Sequence, residues 1–213
     1  MSKMKTTTNI VLIIMILLSI TPFFGLNIAG ISVALGVIYF ILEKRISKRS
    51  AKDSGFDIRA VIHNLKGIKI WLLILLPILF DIFAVVLSKA ILPDYVPHVI
   101  SRSGNYLSFD KVISLAIQLV IFAVGEEIAW RAFFQHRAER IMPVIPAIAI
   151  TSVLFSFGHL ASGDITIVIY DILFVFLNSV VYGVVYHKTQ NAWISAISHL
   201  LSNIFSLGII FFL

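Results

Sequence analysis

Residues 114–134 read SLAIQLVIFAVGEEIAWRAFF. The stretch is long and apolar enough to cross a bilayer as a helix, yet it carries Glu126, Glu127 and Arg131. An ionised side chain near the bilayer midplane costs about 2.5–3.5 kcal/mol on insertion scales, whereas each Leu, Ile, Val or Phe returns only about 0.3–0.6 kcal/mol. A helix with that deficit needs polar partners on other helices or a water-filled cavity, so the stretch predicts a packed membrane bundle with a functional site inside it.

The composition of the whole chain agrees with a membrane protein. Of its 213 residues, 59% are hydrophobic and 13% are charged, and the mean hydropathy is +1.00. A soluble domain has about 45–50% apolar and about 25% charged residues. Because backbone groups that face lipid must be satisfied within their own segment, we predict an all-α, polytopic transmembrane helix bundle of about seven spans. The chain has no cysteine, which excludes disulfides, thiolate metal ligands and a cysteine nucleophile.

The apolar runs and the basic segments between them give a predicted topology. The spans are expected at about 7–24, 26–42, 70–92, 111–134, 143–160, 165–186 and 192–213. Basic segments at 43–69, 135–140 and 187–190 then fall on one side, and the positive-inside rule makes that side and the N-terminus cytoplasmic. These loops account for the net charge of +6, so no nucleic-acid partner is expected, although segment 43–69 could also contact anionic lipid.

We expect a single membrane domain made of two regions. Residues 1–110 form an N-terminal three-span region that contains the basic cytoplasmic loop 43–69. Residues 111–213 form a four-span core that contains the polar groups described next.

The three charges of the fourth span are expected to divide into two roles. Glu127 and Arg131 are four residues apart and share a helix face, with the glutamate on the N-terminal side that such a pair prefers. Glu126 is turned about 100° away from Glu127 and has no local cation. We interpret Glu127–Arg131 as a structural ion pair and Glu126 as a reactive carboxylate, a general base or acid. The alternative is that all three belong to a buried structural network.

Two further spans carry polar side chains at a similar depth. Phe155 and His159 are one turn apart at the end of the fifth span, and His199 and Asn203 are one turn apart in the seventh. At 1.5 Å per residue, Glu126, His159, His199 and Asn203 lie roughly 14 to 24 Å from the cytoplasmic surface. We therefore expect all four to meet near the middle of the membrane.

These groups suit the activation of water. Glu126 would take a proton from water, the hydroxide would attack a carbonyl, and His199 and Asn203 would donate to the developing oxyanion. His159 would orient the water, or Glu126, His159 and His199 would hold Zn²⁺ with a bound water. A proton-carrying chain in a transporter is another possibility.

Three other polar residues within the spans are expected to be mostly structural. They are Asp81 in the third span and Asp171 and Asn178 in the sixth, and none has a motif around it. Asp171 could pair with Arg131 or line the cavity.

Three motifs in chain order resemble a known family. Glu-Glu-x-x-x-Arg, Phe-x-x-x-His and His-x-x-x-Asn, together with YGVVYHKTQNAWISAISHLLSN at 182–203, resemble the CPBP family of intramembrane proteases. That family contains the CAAX proteases and the bacteriocin-processing proteins and is also called Abi. The resemblance covers about residues 123–203.

The resemblance implies cleavage of a peptide bond within or near the membrane by glutamate-activated water. Glu126 then resembles the catalytic base, with Glu127 and Arg131 as its motif partners, and His159 the second catalytic residue. His199 and Asn203 resemble the oxyanion pair, and Phe155 and Trp130 are pocket candidates. Metal dependence is left open, with Glu126, His159 and His199 as the candidate ligands and a metal-free glutamate mechanism as the other option.

The resemblance also implies a setting. Short members are typically bacterial and associated with bacteriocin maturation or self-immunity, so we expect a multi-pass cell-membrane protease. Its expected partners are membrane lipid and a membrane-associated peptide or protein substrate. The alternative function is a bacteriocin-immunity membrane protein that acts by binding and not by proteolysis.

Overall fold

The computed structural model describes residues 2–26, 28–48, 50–104, 107 and 111–212. Within these residues the secondary structure is helical throughout, and the prediction of an all-α bundle is confirmed. The helices are α1 (Ser2–Ser19), α2 (Gly30–Ile46), α3 (Val61–Asn64), α4 (Ile68–Ile91), α5 (Tyr95–Gly104), α6 (Val112–Ala138), α7 (Val144–Phe157), α8 (Ile165–Thr189) and α9 (Ala192–Phe212).

Four of these helices are long and apolar enough to cross a membrane. They are α4, α6, α8 and the part of α9 up to Ile209. The first, second and fifth predicted spans are occupied by α1, α2 and α7, which are shorter, with 18, 17 and 14 residues. The chain is therefore a membrane protein whose apolar helices lie where the hydropathy pattern predicts them.

The middle of α6 departs from a regular α-helix. Residues Ile128–Gln135 form a π-helix in which all eight residues are buried. A π-turn accommodates an extra residue per turn, and such segments occur frequently at functional sites. Helix α2 crosses this segment closely, because a Cβ built on Gly36 would lie only 2.8 Å from the Cβ of Ala129. The predicted fourth span ended at Phe134, whereas α6 continues to Ala138, so Gln135 belongs to the packed helix and not to a loop.

One end of the bundle gathers the basic segments. Arg137, near the end of α6, forms an ion pair with Glu43 of α2. Asn191, in the turn between α8 and α9, donates from Nδ2 to the carbonyl oxygen of Asp57 at 2.8 Å. These contacts tie all three predicted basic segments together at one end of the molecule.

The opposite end is partly covered by a helix where the sequence predicted only a loop. Helix α5 lies in the segment 93–110 and packs on α4 and α8. Its Tyr95 is buried with the ring 4.9 Å from that of Tyr170. Its Arg102 forms an ion pair with Asp171 of α8, with Nε 2.9 Å from Oδ2. The predicted pairing of Asp171 with Arg131 is therefore wrong, because α5 supplies a nearer cation; the alternative, that Asp171 lines the cavity, is confirmed.

Candidate active site

A cavity of about 850 Å³ opens among α2 and α4 to α9. It contains six of the residues that the sequence singled out as site or pocket candidates, namely Glu126, Trp130, Phe155, His159, His199 and Asn203. Glu127 and Arg131 do not line it. The structure thus brings together side chains from α6, α7, the turn after α7, and α9, and it separates the two adjacent glutamates.

Glu127 lies behind the cavity wall and is fully engaged. Glu127 and Arg131 are both 0% exposed. Oε2 of Glu127 accepts from Nε of Arg131 at 3.2 Å, and Oε1 accepts from Nδ1 of His199 at 3.2 Å. Arg131 also donates through Nη2 to Oγ of Ser179 at 2.8 Å. The ion pair that the spacing predicted is present. His199 also binds to it through Glu127, a contact that the spacing did not predict.

Glu126 is differently placed, although it is the next residue. Its side chain is 18% exposed and lines the cavity. The nearest charge partner is His199, whose Nε2 is 3.7 Å from Oε2 of Glu126. Across the described residues no hydrogen bond to its carboxylate is formed. Glu126 is thus the carboxylate of the pair that is open to a water or a substrate in the cavity.

His199 joins the two glutamates. Its Nδ1–H donates to Glu127, which directs the opposite nitrogen, Nε2, towards Glu126 and the cavity. The ring of Tyr182 stacks on the imidazole with centroids 4.6 Å apart and an interplanar angle of 18°. Because one nitrogen is hydrogen-bonded and one face is covered, the ring has a fixed orientation relative to Glu126.

Phe155 is the packing centre of the site. Its ring lies 4.7 Å from the ring of His159 and 5.9 Å from that of His199. The guanidinium carbon of Arg131 lies 5.5 Å from the centre of the same ring, within the range of a cation–π contact. Trp130 approaches it edge-on at 6.4 Å. A single aromatic side chain therefore separates the ion pair from the cavity and spaces the two histidines.

His159 lies just beyond the last residue of α7. Its Nδ1–H donates to the backbone carbonyl of Phe155 at 3.0 Å. That bond selects the tautomer in which Nε2 carries a lone pair. His159 thus offers a hydrogen-bond acceptor to the cavity.

Sequence reasoning missed Gln135 and Tyr182. Gln135 is fully buried, accepts from Nη1 of Arg131 at 3.5 Å and donates to the carbonyl of Gly183 at 2.9 Å. The signal was available, because Gln135 follows Arg131 by four residues just as Arg131 follows Glu127. Tyr182 is the first residue of the motif stretch 182–203 and belongs to the sixth span, but nothing in its spacing pointed to His199.

A second polar cluster lines the same cavity. Asp81 of α4 accepts from Nδ2 of Asn178 at 2.7 Å and from the hydroxyl of Ser202. The prediction that Asp81 and Asn178 are structural agrees with these bonds, which join α4, α8 and α9.

The candidate zinc ligands do not form a ligand set. In the described part of the chain, no group of three or more His, Asp or Glu side chains is arranged to hold one metal ion. Nε2 of His199 lies 3.7 Å from Oε2 of Glu126. The orientation of the His159 ring is instead set by its hydrogen bond to the Phe155 carbonyl.

Comparison with known proteins finds a family match for the C-terminal part of the chain. Residues 108–205 match the family model described as type II CAAX prenyl endopeptidase Rce1-like. This match agrees with the resemblance of the three motifs to the CPBP family. No curated protein and no solved structure matches the chain. The matched region contains α6 to most of α9 and every candidate site residue, so the similarity to CAAX-type intramembrane proteases covers the whole candidate site.

Proposed function

We propose that the protein is an intramembrane endopeptidase in which Glu126 activates a water molecule to hydrolyse a peptide bond of a membrane-associated peptide or protein. The observation that carries the proposal is the separation of the glutamates. Glu127 is buried and bound on both oxygens, whereas Glu126 faces the cavity beside His199. A carboxylate poised in a protected cavity suits general base catalysis.

In the first step, the Glu126 carboxylate removes a proton from water as the water oxygen attacks the scissile carbonyl carbon. The new C–O bond leaves a tetrahedral intermediate with a negative oxygen. His199 donates to this oxygen through Nε2–H while its Nδ1–H remains on Glu127, and Asn203 donates through its side-chain amide. The protonated Glu126 then gives its proton to the leaving nitrogen as the C–N bond breaks, which releases a carboxylic acid and an amine and restores the Glu126 carboxylate.

The surrounding residues have supporting roles in this scheme. Glu127 stabilises the doubly protonated imidazole of His199, because its carboxylate lies 3.2 Å from Nδ1. His159 accepts a hydrogen from the attacking water through Nε2 and so orients it. Phe155 and Trp130 form the apolar wall against which a substrate side chain packs.

The cavity reaches the lipid-facing surface. Ile38 of α2 and Ile121 of α6 both line it, and they are 56% and 61% exposed. We infer that a membrane-embedded substrate reaches Glu126 laterally, between these helices. Lateral access suits a membrane-associated substrate. On the family resemblance, we propose that the protein is a multi-pass protease of the bacterial cell membrane that acts in bacteriocin maturation or self-immunity.

The test is proteolysis in liposomes. The purified protein is reconstituted with a quenched fluorescent peptide ending in a Cys-aliphatic-aliphatic-X sequence, prepared with and without a prenyl group on the cysteine. Glu126→Gln should lower the cleavage rate by about 10²- to 10⁴-fold, the usual contribution of a general base. Asp164→Asn is the control, because Asp164 is an exposed cap of α8 and Asn caps a helix equally well.

The same variants distinguish proteolysis from immunity by binding. If Glu126→Gln loses cleavage and also loses protection of cells against a bacteriocin, protection depends on proteolysis. If the variant cleaves the peptide as fast as the unchanged protein, Glu126 is not the base and the proposal fails.

A further inference from the structure

A second concavity lies at the basic end of the bundle and shares no lining residue with the active-site cavity. It is a groove of about 520 Å³ between the end of α2, Phe56 and the start of the π-segment. Its apolar wall is formed by Phe40, Ile41, Phe56 and Ile128. We call this the α2 groove.

The rim of the α2 groove is cationic. Lys44, Arg45 and Lys48 line it, and no acidic residue does. Across the described residues these three side chains form no ion pair or hydrogen bond. Glu43, the acidic residue of α2, is buried and bound to Arg137. The three positive charges are therefore available to a ligand outside the chain.

The charges and the apolar wall lie on one face of the helix. Ile41, Lys44, Arg45 and Lys48 are spaced at i, i+3, i+4 and i+7, which brings them to the same side of α2. Lys48 lies just past the helix end in the left-handed conformation, with φ 49°. That conformation favours Gly or Asn, because an L side chain there costs roughly 1 kcal/mol. Lys48 thus adds a third cation to the groove, although its left-handed backbone conformation is unfavourable for a lysine.

We propose that the α2 groove binds one anionic glycerophospholipid, with the phosphate on Lys44, Arg45 and Lys48 and an acyl chain against Phe40 and Ile41. The charge of the groove favours an anionic headgroup, because its lining contains three cationic side chains and no carboxylate. The apolar wall continues from the rim into lipid-facing surface, because Ile41 is 43% and Ile38 is 56% exposed. A free phosphate would contact only the cationic rim. A phospholipid contacts the rim with its headgroup and the apolar wall with an acyl chain.

The test is lipid binding to the purified full-length protein, measured by native mass spectrometry. The probes are phosphatidylglycerol and phosphatidylcholine with identical acyl chains. The unchanged protein should retain one phosphatidylglycerol in preference to phosphatidylcholine. The groove variant is Lys44→Gln, Arg45→Gln and Lys48→Gln combined. Each cation near a membrane surface contributes about fivefold to the attraction of an anionic lipid, so the triple variant should bind phosphatidylglycerol on the order of 100-fold more weakly.

The matched control removes the same charge from the same end of the molecule. Lys52, Lys66 and Lys69 are exposed and do not line the groove. Because they do not line the groove, their combined change to Gln should weaken binding much less than the groove variant does. An equal loss in both triple variants would overturn the proposal, because the basic residues would then act only as a diffuse charge that sets topology.

A third variant tests the shape of the groove with its charges intact. Ile41→Trp fills the apolar wall without altering Lys44, Arg45 or Lys48. It should abolish the preference for a single phosphatidylglycerol. Retention of that lipid at the affinity of the unchanged protein would show that the groove is not where it binds.

Discussion

The change Arg131→Met tests whether the buried ion pair holds the site in place. Methionine is close to arginine in volume and suits an apolar surrounding, so the change removes the charge with little change in volume. Arg131 and Glu127 are both 0% exposed. Arg131 donates to Glu127, Gln135 and Ser179, and its guanidinium covers the ring of Phe155.

The expected magnitude follows from this burial. Removing one partner of a buried pair leaves an uncompensated charge and costs about 3–5 kcal/mol of unfolding free energy. We expect a loss in this range for Arg131→Met, measured by reversible denaturation of the purified protein in mixed detergent micelles. The control Arg59→Met changes an exposed arginine of the basic end and should stay within about 0.5 kcal/mol.

A double variant distinguishes the lost charge partner from lost packing. Glu127→Gln combined with Arg131→Met contains no unpaired buried charge, and the Gln oxygen still accepts from His199. The double variant should therefore cost less than Arg131→Met alone, since replacing both members of a buried pair is often close to neutral. If the costs of the two single changes simply add, the residues do not interact and the assignment of a structural pair is refuted.

Two further predictions use other contacts. Gly36→Val should lower the unfolding free energy by about 1–3 kcal/mol, because its Cβ would lie 2.8 Å from that of Ala129; Gly30→Ala in the same helix meets open space and should not destabilise the protein. Asp171→Asn removes the carboxylate that pairs with Arg102, so amide hydrogen exchange over α5 should accelerate about tenfold or more, because a hydrogen bond to a charged group contributes about 1.5–3 kcal/mol. Unchanged exchange would mean that apolar packing alone holds α5.

The sequence predicted the helices well because their signal is local. Apolar runs and their basic flanks depend only on the residues within each run, and the four long spans begin within two residues of their expected positions. The π-segment Ile128–Gln135 had no such signal. A change of hydrogen-bond register leaves no mark on hydropathy, and the residues that pack around the segment, such as Gly36, come from other helices.

The site was predictable within each helix but not between helices. The spacing of Glu127 and Arg131 predicted their ion pair, and depth predicted that His199 would meet α6. Which glutamate oxygen meets which imidazole nitrogen depends on the rotation of α9 about its own axis, and the sequence does not contain that angle. The partner of Asp171 was assigned wrongly for a related reason, since the cation that binds it lies on a helix that was expected to be a loop.

The two adjacent glutamates show how the structural part of the site directs its reactive part. Consecutive residues of a helix point about 100° apart, so the direction of Glu126 is fixed once Glu127 is fixed. Glu127 is fixed by Arg131 on one oxygen and by His199 on the other. The ion pair therefore positions Glu126 and His199 relative to each other without touching a substrate. It follows that Arg131→Met should lower the turnover of molecules that remain folded, whereas Glu126→Gln should lower turnover by about 10²- to 10⁴-fold and leave the unfolding free energy nearly unchanged.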